Sequence, residues 1–162
     1  MNLEGNYFIG GYIQMSNYPI WWDKTLTIYN RYQDPITNYI SWFRHVVTGC
    51  FWKDTGNKIT VGDTVLETND IICRIPENAD FLEAYEWINL PNDQKANYFT
   101  LGRKDIIVKG EVSDEIIEGV SGHRATDLIA KYKKLQGCLE VERIGINVGA
   151  GLCNPHYYVK GL

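Results

Sequence analysis

Apolar and polar residues alternate over much of this chain, and the alternation predicts a protein built mainly of β-strands. In residues 21–33, Leu26 and Ile28 share one face of a predicted strand, and threonines occupy the other face. A longer strand, rich in aromatic residues, is predicted over residues 39–52, with a bend at Gly49.

Two turns are predicted in the part of the chain that follows. The run Asp54-Thr55-Gly56-Asn57 has the composition of a hairpin turn, and Gly62-Asp63 has that of a second turn. The strand after them places Ile71 and Cys73 on one face, and Pro76 is expected to end it because proline donates no ladder hydrogen bond.

The stretch from Tyr98 to Val112 predicts a turn followed by a half-buried strand. Gly102 can take a positive φ in the turn, and Gly110 leaves a gap where another backbone could approach. The apolar residues that share one face of this strand are Ile106, Val108 and Val112.

Apolar residues recur at helical spacing in residues 123–136, which predicts one prominent α-helix with Gly137 just beyond its end. Its apolar stripe consists of Ala125, Leu128, Ile129, Tyr132 and Leu135. The lysines in its last turns suit the negative end of the helix dipole. A short helical turn is predicted from Phe81, Leu82, Tyr85 and Ile88.

These elements predict a mainly β fold, a small β-barrel or β-sandwich with one prominent α-helix and long loops. In the last third of the chain, a β-bulge is expected near Glu142-Arg143, and a closing strand over residues 156–159. The 162 residues suit a single domain over residues 21–162, preceded by an N-terminal extension or arm over residues 1–20. The expected core contains Leu26, Ile28, Ile71, Cys73, Ile106, Val108 and Val112.

Charge is distributed unevenly along the chain. The formal net charge is −4, which argues against a general nucleic-acid-binding surface. Residues 61–122 carry thirteen acids and five bases, a balance of −8, whereas residues 123–162 carry six bases and three acids. This contrast suits contacts between copies of the chain, although an ordinary solvated surface also accounts for it. No apolar run approaches the roughly 20 residues that span a bilayer, and we expect neither a membrane contact nor a secretory signal.

The four cysteines, Cys50, Cys73, Cys138 and Cys153, have wide and irregular spacing. They form no Cys-x-x-Cys pair, so we expect reduced, mostly buried thiols in an intracellular protein. Cys153 lies close to His156 in the sequence, but a metal site needs three or four ligands and no second pair supplies them. We predict no metal, no cofactor and no catalytic residue, and the protein is not expected to be an enzyme.

Five segments carry a resemblance to a known family: Trp22–Tyr32, Thr48–Trp52, Glu67–Pro76, Tyr98–Val112 and Asn154–Gly161. In these segments the chain resembles a family of small structural proteins encoded in the head-tail gene clusters of tailed phages that infect Gram-positive bacteria. A weaker, pattern-level likeness is to head-closure, or stopper, proteins and to minor capsid proteins. The N-terminal extension over residues 1–20 lies outside the match.

The resemblance implies a structural role in the virion, with assembly in the host cytoplasm. Such proteins form a ring at the neck, below the portal and adaptor, and help retain packaged DNA. The implied partners are other copies in the ring, the portal, adaptor and tail-completion proteins, and DNA that passes through the lumen without sequence-specific binding.

Two acidic segments, residues 77–97 and 113–122, are candidates for lining this lumen or contacting a neighbouring protein. Both are expected to be long, polar and weakly held. Acidic side chains that face a channel would repel DNA and let it slide; a solvated loop on the outside is the alternative. The candidate residues are Asp114, Glu115, Glu118, Glu83 and Glu86.

A different class of function also stays open, a monomeric β-barrel that binds single-stranded nucleic acid or a small ligand. The aromatic residues that could stack on bases are Trp42, Phe43, Phe51 and Trp52. Core packing explains them better, because only Arg44 and Lys53 supply positive charge beside them.

Overall fold

Six antiparallel strands close into a barrel in the computed structural model, which describes residues 6–9, 12–15, 18–149 and 153–162. The strands are β1 (Asn6–Ile9), β2 (Tyr12–Met15), β3 (Lys24–Gln33), β4 (Ile40–Val61), β5 (Thr64–Pro76), β6 (Ile106–Lys109), β7 (Cys138–Asn147) and β8 (His156–Gly161). The barrel order is β3-β4-β5-β8-β7-β6, and β6 pairs back with β3, while β1 and β2 form a separate two-stranded sheet. The predicted mainly β fold is confirmed, in its barrel form.

The helices are α1 (Ala84–Ile88), a single 3-10 turn at Lys95–Asn97, and α2 (Ala125–Leu135). The prominent helix is therefore present where the sequence predicts it. Leu128 and Tyr132 are buried and face the same cluster as β6, but Leu135 is 67% exposed. Leu135 is the last residue of α2, where the helix leaves the layer that covers β6. Among the described residues, no helix has both the length and the apolar composition to span a membrane.

The predicted short helical turn is present as α1, but it buries a different side chain. Trp87 is fully buried and packs edge-on to Tyr32, whereas Tyr85 and Ile88 are exposed. A five-residue helix has room to bury one large side chain, and the indole ring removes the most apolar surface from water.

All seven residues of the predicted core are buried, and they divide between two clusters. Leu26, Ile28, Ile71 and Cys73 lie in the barrel interior. Ile106, Val108 and Val112 lie in a second layer between the barrel wall and α2. The fold therefore has two apolar layers, one inside the closed sheet and one beneath the helix.

The predicted half-buried strand after Asp105 is shorter than expected and is buried on both faces. It ends at Lys109, and Ile107 points into the barrel interior while its neighbours Ile106 and Val108 face the α2 layer. The expectation of a solvent-facing side is wrong because closure of the barrel turns the Ile107 face inward, while α2 covers the outer face that carries Ile106 and Val108. Only the tertiary structure supplies that second covering layer.

Two predicted irregularities are present and shape the barrel. On β4, Thr48 and Gly49 together oppose the single residue Thr25, and Gly49 has a φ of 69°. On β7, the extra residue at the register shift is Glu142. Such bulges bend a strand, and the first lets β4 pair with β3 along one half and with β5 along the other.

The hairpin turn predicted at residues 54–57 is wrong. β4 and β5 stay paired without a break along Phe51–Val61, and the chain reverses only at Gly62-Asp63. Gly62 has a φ of 61° in the first central position, which suits the twist of a two-residue hairpin. Continuous cross-strand pairing has overridden the local turn preference of the earlier run.

The turn before β6 is organised by the buried side chain of Asp105. Its carboxylate accepts hydrogen bonds from Arg31 N (2.8 Å), Gly102 N (2.7 Å) and Asn30 Nδ2 (2.8 Å). Burial raises the pKa of Asp105 to about 7, although the three donors act in the opposite direction. The positive φ of this turn falls on Lys104, at 71°, and not on Gly102 as the sequence predicts.

The predicted N-terminal extension includes the paired strands β1 and β2. The other residues before Tyr18 lie outside the described part of the chain. Where the description resumes, Tyr18 stacks on Trp22 with ring centroids 5.3 Å apart and donates a hydrogen bond to Pro155 O at 2.6 Å. The chain is therefore fastened to the barrel from Tyr18 onward.

Candidate functional site

The β4-β5 hairpin extends beyond the barrel, and its outer part, Thr55–Asp70, is called the arm below. β3 pairs with β4 no further than Cys50, and β8 pairs with β5 only from Ile71 onward. Among the described residues, the two strands of the arm therefore pair only with each other. The arm is a two-stranded ribbon whose backbone hydrogen-bonding groups are open along both edges.

The tip of the arm carries apolar side chains in solvent. Val61 is 61% exposed and Val65 is 56% exposed, on either side of the turn that contains Asp63. Val61 pairs with Thr64, whereas Val65 pairs with Thr60, so the two valines lie on opposite faces of the ribbon. The tip thus presents one valine on each face and an acid at its end.

A groove of about 1120 Å³ opens beside the base of the arm and is called the basic groove below. It is lined by Asp23, Lys24, Thr25, Asp54, Asn69, Ile71, Lys109, Gly110, Lys133, Lys134, Leu135, Gln136, Gly137, Cys138 and Leu162. The start of β3, the end of β6, the last turn of α2 and the base of the arm all meet there. No one of these segments would form the groove alone.

Four lysines and two acids give the groove a positive balance in a chain whose net charge is −4. Lys24 Nζ lies 2.9 Å from Asp23 Oδ1, and this contact lowers the pKa of the Asp23 carboxyl. Lys109, Lys133 and Lys134 form no ion pair within the described part of the chain. These three ammonium groups are available to a negatively charged partner.

Two glycines with positive φ let the walls of the groove come together. Gly110 has a φ of 97°, and a Cβ there would lie 2.8 Å from Gln136 Nε2. Another backbone approaches Gly110 as predicted, because Gly110 N donates to Thr25 O at 2.7 Å, while the space where a Cβ would lie is taken by the side chain of Gln136. Gln136 Nε2 donates to Lys109 O at 2.5 Å. Gly137 has a φ of 110°, and a Cβ there would lie 2.9 Å from Trp52 Cζ2.

The chemistry of the groove is that of binding by charge and apolar contact. Cys138 contributes to the lining, but its side chain is buried and burial raises the pKa of its thiol to about 12. The thiol therefore stays protonated at neutral pH and is a poor nucleophile. Exposed Leu135 and Leu162 add apolar surface beside the lysines. In the part of the chain that the structure describes, no three His, Cys, Asp or Glu side chains are grouped to hold a metal ion.

The acidic segment 113–122 is anchored to the barrel and to α2, so the expectation that it is weakly held is wrong. Asp114 Oδ2 accepts hydrogen bonds from Tyr132 Oη and, at 3.1 Å, from Lys131 Nζ. Glu118 Oε1 accepts from Trp42 Nε1 at 2.9 Å. Of the three acids predicted here, Glu115 is the one that remains exposed.

The acidic segment 77–97 is also anchored, through its single base. Lys95 is buried, and its Nζ donates to Ile88 O at 3.1 Å and to Leu90 O, beyond the end of α1. Glu83 and Glu86 are exposed at the other end of α1, where Glu86 Oε2 accepts from Glu83 N at 3.3 Å. Both glutamates remain accessible to a partner.

The remaining sequence candidates do not come together as a site. His156 Nδ1 lies 2.7 Å from Asn154 O, and the imidazole ring packs edge-on to Trp22 with centroids 5.6 Å apart. Cys153 is exposed, and no hydrogen bond joins it to His156 among the described residues. Among the candidates for base stacking, Trp52 is buried and Phe43 packs edge-on to Trp87, which favours the core-packing interpretation.

The basic groove itself was not predictable from sequence spacing. The helical lysines suit the dipole of α2, which gives no reason to assign them another role. Lys24 and Lys109 belong to other strands and reach the groove only because β3 pairs with β6 and α2 packs beside them. The one sequence signal is the excess of bases after residue 122.

These features define a small closed β-barrel protein with a projecting hairpin arm and a basic groove. The chain belongs to a family of unknown function, DUF6751, whose model matches residues 21–162. No curated protein and no solved structure matches the chain. The matched range contains the whole barrel, the arm and the groove.

Proposed function

We propose that this protein is a structural component of a phage virion at the head-tail junction, in a head-closure, neck or minor capsid role. Its copies form a ring that helps to retain packaged DNA. The virion assignment rests on the resemblance of the five segments named above. The structural observation that carries the assembly role is the arm, a ribbon with two open edges.

Open strand edges support an assembly role because they are templates for pairing with another chain. An isolated two-stranded hairpin is marginally stable in water, and the arm has no third strand in the described residues. Contacts with a neighbouring subunit would satisfy its backbone groups and cover its valines. The portal, adaptor and tail-completion proteins are the other proposed neighbours, assembled with this protein in the host cytoplasm.

The exposed acids support contact with DNA that passes without being held. Glu115, Glu83 and Glu86 are the predicted residues that the structure leaves exposed, and a negative lumen repels the phosphate backbone. Asp114 and Glu118 contribute to this field less directly, because each already accepts hydrogen bonds from its own chain.

A second function is favoured by the basic groove, namely a monomeric barrel that binds single-stranded nucleic acid or a small anionic ligand. Three lysines without ion pairs are the observation in its favour. Asp23 and Asp54 in the same lining oppose it, as does the net charge of −4.

Size-exclusion chromatography with light scattering tests the proposal on the full chain, alone and mixed with a portal-adaptor complex. We expect a ring-sized assembly in at least one of the two samples. A protein that stays monomeric in both and binds a single-stranded oligonucleotide would support the second function instead.

A phage carrying Glu83→Lys and Glu115→Lys tests the role of the exposed acids. We expect poorer DNA retention or ejection than in a phage carrying Glu142→Lys, an exposed acid outside both segments. Equal infectivity of the two phages would contradict a lumen role for these residues.

A further inference from the structure

We propose that the tip of the arm of one copy docks in the basic groove of a second copy. This inference deepens the proposed function and rests on it for the existence of the assembly. It concerns which surfaces meet when two copies associate.

The arm tip needs a partner with walls on two sides. Its two valines are more than half exposed and lie on opposite faces of the ribbon. A flat surface would cover one of them and leave the other in water. A groove covers both, so the position of the valines favours insertion over lateral docking.

The groove is large enough to admit part of another chain. Its volume of about 1120 Å³ lies just above the upper end of the roughly 300–1,000 Å³ typical of small-molecule sites. The opening can therefore hold a short segment of another chain. A two-residue turn with the ends of its flanking strands is such a segment.

The tip and the groove are complementary in charge and in apolar surface. The tip carries Val61, Asp63 and Val65, two apolar side chains around one acid. The groove carries the exposed apolar residues Leu135 and Leu162 beside lysines that have no ion pair. Docking would pair the carboxylate with an ammonium group and place the valines against the leucines.

The tip of the arm cannot reach the groove of its own chain. Asp54, Asn69 and Ile71, at the base of the arm, form part of the wall of their own groove. The paired strand then continues for seven residues, Thr55–Val61, which carries the tip roughly 23 Å away from the base. The tip can therefore reach a groove only on another copy.

Nucleic acid is the competing occupant, and the lining favours it less. Asp23 and Asp54 would face phosphate groups at short range. A mixed apolar and acidic tip tolerates those carboxylates better than a polyanion does. Nucleic acid also provides no reason for the arm to have unpaired edges and exposed valines.

Cysteine cross-linking between mixed copies tests the contact directly. One full-length chain carries Val61→Cys, the other carries Leu135→Cys, and both carry Cys153→Ser so that no other exposed thiol is present among the described cysteines. Under mild oxidation we expect a disulfide-linked dimer in the mixture and little in either chain alone. Each parent must first match the wild type in its melting temperature.

Charge reversal provides the second measurement. Asp63→Lys and Lys134→Glu are each expected to weaken self-association at least tenfold, and mixing the two variants should restore it. Glu142→Lys and Lys104→Glu, exposed residues away from both surfaces and outside both acidic segments, are the matched controls and should leave association unchanged.

The outcomes separate this inference from the proposed function. A ring that forms without the cross-link, or that is insensitive to both reversals, overturns the arm-in-groove contact and leaves the virion role standing. If a single-stranded oligonucleotide binds the groove, and Lys134→Glu abolishes that binding without weakening self-association, the groove is a nucleic-acid site. That result also overturns the arm-in-groove contact. A monomer under all conditions overturns both.

Discussion

The barrel and the arm are built from the same two strands, and they differ in what lies next to them. Inside the barrel, β4 and β5 bury Val47, Cys50, Cys73 and Ile75 almost completely. In the arm, the same strands leave Val61 and Val65 in solvent. The alternating pattern predicts a strand in both places. Its apolar side chains become part of a core only where a third strand and a second apolar layer lie beside them.

The same comparison applies to the backbone. In the barrel, each strand has neighbours on both sides, so the sheet has no edge. In the arm, both edges are open within the described residues. We infer that the barrel carries the stability of the domain and that the arm is free to serve an interaction.

The largest expected effect is on the free energy of unfolding when a buried residue of the barrel is truncated. Ile106→Ala removes a side chain with no exposed surface and should cost about 2–5 kcal/mol. Val65→Ala, in the arm, should change stability by no more than about 0.5 kcal/mol. Urea melts of both variants measure the contrast, and similar losses would show that the arm is part of the cooperative core.

The next effect concerns the buried carboxyl of Asp105. Asp105→Asn places an amide NH₂ group against N–H donors and should cost about 1–3 kcal/mol at neutral pH. An aspartate in the unfolded chain loses its proton near pH 4, whereas burial raises the pKa in the folded protein to about 7. Rising pH between these values therefore stabilises the unfolded state.

The contribution of Asp105 to the free energy of unfolding should fall as the pH rises from about 4 to about 7, and then level off. The slope contributed by this one group is at most about 1.4 kcal/mol per pH unit. In Asp105→Asn, the slope of the free energy of unfolding against pH, measured by urea melts across this range, should lack this contribution. An unchanged slope would assign the pH dependence to other groups.

Two glycine substitutions separate backbone strain from packing. Gly62→Ala in the arm meets a positive φ of 61° but open space, and should cost about 1 kcal/mol. Gly137→Ala meets a positive φ of 110° and also the indole of Trp52 at 2.9 Å, so it should cost more, about 2–3 kcal/mol. Thermal melts measure the difference, and equal losses would mean that Trp52 moves aside freely.

The smallest effect is seen in thiol reactivity, which needs no mutation. Cys50, Cys73 and Cys138 are buried, and burial raises the pKa of each thiol, whereas Cys153 is exposed. A thiol reagent should modify one cysteine quickly in the folded protein and all four after denaturation. Fewer than four thiols in denaturant without reductant would reveal a disulfide and contradict the expectation of reduced cysteines.

Patterns that depend on neighbouring residues were sufficient to predict most of the elements. Period-two alternation identified the barrel strands and all seven core residues, and helical periodicity with Gly137 located α2. It did not predict β1 or β2, which lie in the N-terminal extension. The register change around Glu142 predicted its bulge. Apolar residues that switch from odd to even positions can stay on one face of a strand when one extra residue is inserted between them. These features are local, and local sterics and side-chain direction determine them.

The sequence left open what depends on elements distant in the chain. The face of β6 that carries Ile107 is expected in solvent until the sheet is known to close into a barrel, and the run at residues 54–57 indicates a turn until β5 is known to pair along it. The basic groove joins residues from both ends of the chain. Burial and charge at such positions are set by packing between segments, and a single sequence contains no record of which distant segments meet.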